Sequence, residues 1–276
     1  MNNELIIDEK KKKKERIVQL YKNIIWIFFD YIIKVILVSV LWFFFSTPFF
    51  YMGYILVTTG VKTFLAYIWL VIIIAYSPFS FGASYVILKM VSQIATSEKL
   101  LLFDKVIDKS DIKVKLFFNG IFKFFFKSLL LILVNIFISG FLYMNIYFYW
   151  YILTPQIKWL GLLLTGLMIW LALLYILMQI YLLPLTLTKK INIFKVLYQA
   201  FLLVIDNMGF SIAMTALIIS FTIIFIFTLA GFFLIYYGVI MIISLVGYLF
   251  VYQKYDETLT IKEETRSLKN VIRPWS

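Results

Sequence analysis

The sequence predicts an all-α polytopic membrane protein: a bundle of six transmembrane helices with interfacial amphipathic helices and both termini in the cytoplasm. Three observations predict it. Six apolar runs are each long enough to cross a bilayer, which takes about 20 residues per helix. Of 26 Lys and Arg residues, only Lys62 and Lys158 fall on the predicted outer side, which is the bias that orients membrane proteins. No residue from Gly209 to Gln253 is charged, leaving room for two spans and a turn.

Composition narrows the chemistry. The 276 residues are 63% hydrophobic, against about half for a soluble domain. Neither cysteine nor histidine occurs, which removes thiolate nucleophiles, sulfur ligands, the commonest metal ligand and the commonest neutral-pH base. The reading is therefore a non-enzyme with no cofactor. The net charge of +12 belongs to segments flanking apolar runs, so it suits anionic headgroups rather than nucleic acid. No short apolar stretch with a small-residue cleavage site follows the N-terminal lysines, so no cleavable signal is expected.

In chain order, residues 1–17 form a basic cytoplasmic tail containing Lys10 to Lys14. Residues 18–34 predict an interfacial helix running straight into the first span, with Trp26 at headgroup level and an Asp30–Lys34 pair at helical spacing. Residues 18–253 make one membrane domain, with spans at about 35–56, 64–88, 128–151, 159–183, 209–229 and 232–253. The first span contains Pro48, whose freed carbonyl Ser46 and Thr47 are expected to help satisfy. The second contains Pro78. The 89–127 loop ends in a Phe- and Lys-rich stretch that predicts an amphipathic helix lying on the inner leaflet. The third span ends in an aromatic belt (Tyr147, Tyr149, Trp150, Tyr151), and the fourth stops near Pro184. Residues 191–205 predict another interfacial helix. Residues 254–276 read as a solvated cytoplasmic tail.

The segments LWFFFSTP (41–48), SPFSFGASYVILKM (77–90), KVKLFFNGIFKFFFKSLLL (113–131) and YLLPLTLTKKINIFKVLYQAFLLVIDN (181–207) occur in suggestive order. Together they resemble the YesL-like family of uncharacterised bacterial integral membrane proteins, over roughly residues 35–253. The chain departs from the family pattern in separating Pro48 from Pro78 and Gly82 by most of a span. Membrane domains associated with glycerophosphodiesterases share the rhythm of cytoplasmic helix then span. The resemblance implies a multi-pass protein of the bacterial inner membrane and a link to carbohydrate uptake. It implies no functional residues.

All 14 acidic residues lie in cytoplasmic or interfacial segments, so a proton relay inside the bilayer is not expected. Pro48, Pro78, Asn135 and Gln179 are the candidate intramembrane kink and polar positions. They would either line a site for a neutral solute or serve packing, through interhelical hydrogen bonds and ordinary proline kinks. Gly161, Thr165 and Gly166 suggest a close-packing seam. Lys113, Lys115, Lys123 and Lys127 are the candidate contacts to the inner leaflet or to a protein partner. The leading expectation is an accessory or scaffold protein bound to anionic lipid, with a transporter subunit or a second copy as partner. A self-contained permease or channel for a small neutral solute is the alternative.

Overall fold

The structure is a computed structural model that describes residues 2–59, 64–96 and 114–266. It is all-α apart from one two-residue antiparallel pairing. The helices are α1 (Asn2–Asp30), α2 (Ile32–Thr58), α3 (Phe64–Tyr76), α4 (Pro78–Val91), α5 (Lys115–Tyr147), α6 (Thr154–Gln156), α7 (Lys158–Thr188), α8 (Ile193–Asp206), α9 (Met208–Phe227), α10 (Leu229–Leu234) and α11 (Tyr236–Tyr252). A π-helical stretch, Phe148–Leu153, joins α5 to α6. The strands β1 (Ala95–Thr96) and β2 (Thr260–Ile261) pair Ala95 with Ile261.

Among the described residues, four continuous helices are long and apolar enough to cross a membrane: α2, Lys115–Gln156, α7 and α9. The pair α3 and α4 makes a fifth if its 43° bend is counted within one span. The 17-residue α11 is apolar but shorter. Helices suit an apolar solvent because each carbonyl is satisfied within its own segment. Their outer faces carry Phe122, Phe126, Phe227, Leu163 and Trp170, all exposed. Such a continuous apolar surface fits hydrocarbon and not water.

The core gathers around α4. From Ser80 to Val91 every residue but Tyr85 is buried, and α2, α3, α5, α7 and α11 all pack on this helix. The closest approach is at two glycines. A Cβ on Gly120 would lie 3.0 Å from the Gly82 Cα, and a Cβ on Gly82 would lie 2.7 Å from the Phe117 carbonyl oxygen. The last turns of α7, Ile180–Thr188, are wholly buried, as is Met241–Leu249 of α11.

Several expectations are corrected. The Phe- and Lys-rich stretch is not a separate surface helix. From Lys115 it forms the first turns of α5, because Phe117, Gly120, Ile121 and Phe124 make a buried stripe that docks on α4. The first interfacial helix is longer than predicted, running from Asn2 to Asp30 before breaking at Tyr31. Trp26 packs against protein, with 9% of its surface exposed. Helix α7 runs on through Pro184 to Thr188. Residues 254–266 are not a free tail, for Asp256 and Leu259 are buried and β2 pairs with β1. Helix α8 forms as predicted, with Ile193, Val196, Ala200, Leu203 and Val204 making its buried stripe. The expected seam is only partly packed: Gly161 and Thr165 are buried, whereas Gly166 has open space around it. Lys62, Lys113, Asp104, Asp108 and Asp111 lie outside the described residues.

Candidate functional site

Each helix proline leaves one carbonyl without the amide partner it would find four residues later. Pro78 strands the Ile74 carbonyl, which accepts from Ser80 Oγ at 2.6 Å. Pro78 is the first residue of α4, and the Ser77 side chain caps that helix by accepting from the Ser80 amide at 3.1 Å. The predicted kink is therefore a capped break between two helices. Ser80 Oγ also accepts from Trp42 Nε1 at 2.8 Å. The Ser80 carbonyl accepts from Tyr237 Oη and from Ser84 Oγ. One serine thus links α2, α3, α4 and α11.

Pro184 strands the Ile180 carbonyl, and Ser244 Oγ of α11 donates to it at 2.9 Å. That bond is why α7 survives its proline. Pro48 is different. Thr47 Oγ1 donates to the Phe43 carbonyl, one residue short of the stranded Phe44 carbonyl, and the buried Ser46 hydroxyl has no partner. The expected rescue by Ser46 and Thr47 does not form.

Asn135 and Gln179 are brought together through Tyr175. Asn135 is fully buried, its Nδ2 donates to the Leu131 carbonyl at 2.7 Å, and its Oδ1 accepts from Tyr175 Oη. Gln179 Nε2 donates to the Tyr175 carbonyl at 3.2 Å, and its Oε1 accepts from Tyr76 Oη. This chain ties α5, α7 and α3. Each amide uses a donor and its acceptor on protein groups, the pattern of interhelical hydrogen bonding in membrane bundles.

Lys123 and Lys127 meet Lys190, from the segment after α7, at one end of the bundle. Burial, and Lys190 beside it, hold the Lys123 ammonium below its usual pKa of 10.5. Burial, then Lys123 and Lys190, do the same to Lys127. Lys123 Nζ and Lys89 Nζ flank the Tyr85 ring at 5.2 and 5.9 Å from its centroid. Among the described residues, no carboxylate lies in ion-pair range of Lys123 or Lys127. Lys115 opens α5, eight residues upstream, and Lys113 is outside the described residues. Among the described residues, then, like charges and burial act on these ammonium groups without a carboxylate beside them.

Sequence reasoning missed a clamp between the two ends of the chain. The Arg266 guanidinium makes a bidentate contact with Asp30, 3.0 and 2.9 Å, and a second with Glu264, 2.8 and 2.7 Å. It lies 4.0 Å from the centre of the Trp26 ring. Arg266 holds the Glu264 carboxyl below its ordinary range, and Glu264 and Asp30 raise the arginine's own pKa. Burial, then Asp30, push the Tyr31 phenol up to about 12, and its hydroxyl donates to Gln93 Oε1. No sequence pattern links Asp30 to Arg266. The capping serine of SPFS, by contrast, left a local signal, an N-cap residue before a proline.

Among the described residues no group of three acidic, His or Cys side chains could hold a metal ion. Comparison with protein-family models, curated proteins and solved structures finds no match to this chain.

Proposed function

We propose that the chain is a non-enzymatic accessory or scaffold protein of the bacterial inner membrane, docked through its basic helix ends on anionic headgroups. In this reading α11 is the sixth span, both termini are cytoplasmic, and the Lys123–Lys127–Lys190 end faces the inner leaflet. The observation that carries it is the Lys123–Lys127–Lys190 cluster, which has no carboxylate in ion-pair range among the described residues, together with amides in the apolar helices that bond to protein partners. The YesL-like resemblance supports membership of that family and a link to carbohydrate uptake, with a transporter subunit or a second copy of the chain as partner. It equally suits a membrane domain of the glycerophosphodiesterase-associated kind.

Mild-detergent purification of the tagged chain, followed by native mass spectrometry, tests it. Retained phosphatidylglycerol or cardiolipin, with a stoichiometric partner protein, supports the reading. Solute flux in liposomes holding the chain alone overturns it. The second reading, a self-contained permease for a neutral solute, is favoured by one feature: the 43° break at Pro78, since broken helices line sites in transporters.

A further inference from the structure

Lys123 and Lys127 stand one turn apart on α5, and Lys190, from the segment after α7, acts on both. Three ammonium groups from two elements therefore converge, and among the described residues no carboxylate pairs with any of them. Like charges so placed repel one another, and a counter-charge relieves that repulsion. Lys123 is also held in place. Its Nζ lies 5.2 Å from the centre of the Tyr85 ring and 5.5 Å from that of Phe124. Cation–π contacts of this kind orient an ammonium without neutralising it. Tyr85 is itself fixed at the α4–α5 crossing, where a Cβ on Gly120 would meet the Tyr85 Cβ at 2.8 Å.

The surroundings narrow the kind of anion. Each of the two α5 lysines has an exposed ring as its chain neighbour: Phe122 is 78% exposed and Phe126 82%. Their row continues along the same helix face through Leu129, Leu133 and Phe137, all exposed. From Phe122 to Phe137 the row is about 22 Å long at about 1.5 Å per residue. That is enough to cross one leaflet, about half of a hydrocarbon core of roughly 30 Å. Helix α8, which packs on both α5 and α7, adds the exposed rings of Phe194 and Tyr198. A free anion makes no use of these apolar rows, and an acidic peptide or nucleic acid leaves them uncovered. A phospholipid fills both parts at once, with phosphate on the ammonium groups and an acyl chain along the row. Charge number narrows it further. A headgroup with one negative charge answers one lysine of three, whereas one with two leaves a single positive charge over.

Resting on the docking of this end at the inner leaflet, we propose that Lys123, Lys127 and Lys190 form a site for one lipid whose headgroup carries two negative charges. One acyl chain of that lipid lies along Phe122 and Phe126. Singly charged lipids occupy the same place more weakly.

The test uses the full chain, purified in a mild detergent and stripped of lipid. It is titrated with cardiolipin, with phosphatidic acid, with phosphatidylglycerol and, as a control without acyl chains, with inorganic pyrophosphate. Native mass spectrometry counts the bound molecules. One cardiolipin or phosphatidic acid per chain is expected to saturate at about a five-fold lower concentration than phosphatidylglycerol, the effect of roughly one further lysine contact. Lys127→Gln and Lys190→Gln are each expected to weaken the doubly charged lipid about five-fold. Lys190 is exposed and Lys127 only half-buried, so neither variant opens the core. Lys195→Gln deletes an exposed lysine of α8 outside the trio and is expected to change nothing, which separates the site from a loss of net charge. No saturation, no preference over phosphatidylglycerol, pyrophosphate bound as tightly as lipid, or full binding by both lysine variants overturns the proposal. The scaffold reading fails separately. Solute flux by the chain alone sinks that reading whether or not lipid saturates here, and a retained partner protein with no saturable lipid sinks only the site.

Discussion

Ser244 Oγ donates to the carbonyl of Ile180, the one acceptor that Pro184 deprives of its own helix. A residue 64 positions away in sequence thereby completes the backbone of α7. Ser244→Ala leaves a buried carbonyl unpaired and is expected to cost about 1–3 kcal/mol in unfolding from mixed micelles. Pro184→Ala restores the amide. If the bond is what carries α7 past the proline, the two substitutions are strongly non-additive, with Ser244→Ala nearly silent in the Pro184→Ala background.

Ser80 does more than Ser244, so its loss should cost more. Ser80→Ala leaves Trp42 Nε1 without its acceptor and the Ile74 carbonyl with only the long 3.5 Å contact from the Ser77 amide, up to about twice the penalty of one stranded group. Ser77→Ala removes the cap on α4 and the 3.1 Å bond between the two hydroxyls, and is expected to cost about 1 kcal/mol. Equal effects of the two substitutions on unfolding would show that the Trp42 contact contributes nothing.

At the α4–α5 crossing, Gly82→Ala must push a methyl group against the Phe117 carbonyl. A loss of about 1–3 kcal/mol is expected. Gly166→Ala, which meets nothing within 4 Å, is expected to stay within about 0.5 kcal/mol of the parent. Thermal unfolding in a single detergent compares the pair directly.

Asn135→Leu breaks the bond to Tyr175. A bond of this kind inside a membrane contributes about 0.6–1.7 kcal/mol, and that is the expected loss of stability. Uptake by cells carrying Asn135→Leu and Gln179→Leu together should equal that of the parent. A selective loss of uptake with normal expression would instead favour the permease reading.

The lysine cluster predicts a pH dependence. Folded Lys123 and Lys127 sit below the usual 10.5, so the unfolded chain holds more protons in the window between the two values. Stability therefore rises as pH climbs through that window toward 10.5 and is lost again as pH falls. Phosphatidylglycerol supplies the missing negative charge, lifts both values and flattens the rise. Melting temperatures of the parent and the Lys123→Gln, Lys127→Gln pair, with and without that lipid, isolate the effect.

What could be read in advance followed from periodicity and charge, which are local. The apolar runs and the lysine bias marked the helices, whereas the cap at Ser77, which splits the second run at Pro78, was not read. Helix continuity was not local. Whether Pro184 ends α7 depends on Ser244, and whether Phe117 and Phe124 face lipid or protein depends on Gly82 and Gly120 meeting across α4 and α5. Asn135 and Gln179 stood out as polar residues within apolar runs, and both make hydrogen bonds to other helices. Their partners, Tyr175 and Tyr76, were hidden because tyrosine in an apolar run reads as a belt residue. The Arg266 clamp was the least legible, since a mixed-charge tail reads as solvated until its contacts are seen.

Those contacts also carry an entropic consequence. Asp30 and Arg266 are separated by 236 residues, so their contact closes a far longer loop than any turn within a helix. The pairing of Ala95 with Ile261 spans a similar distance. Links of such separation depend on every helix packed between them, which makes the clamp a sensitive reporter of a fully docked bundle.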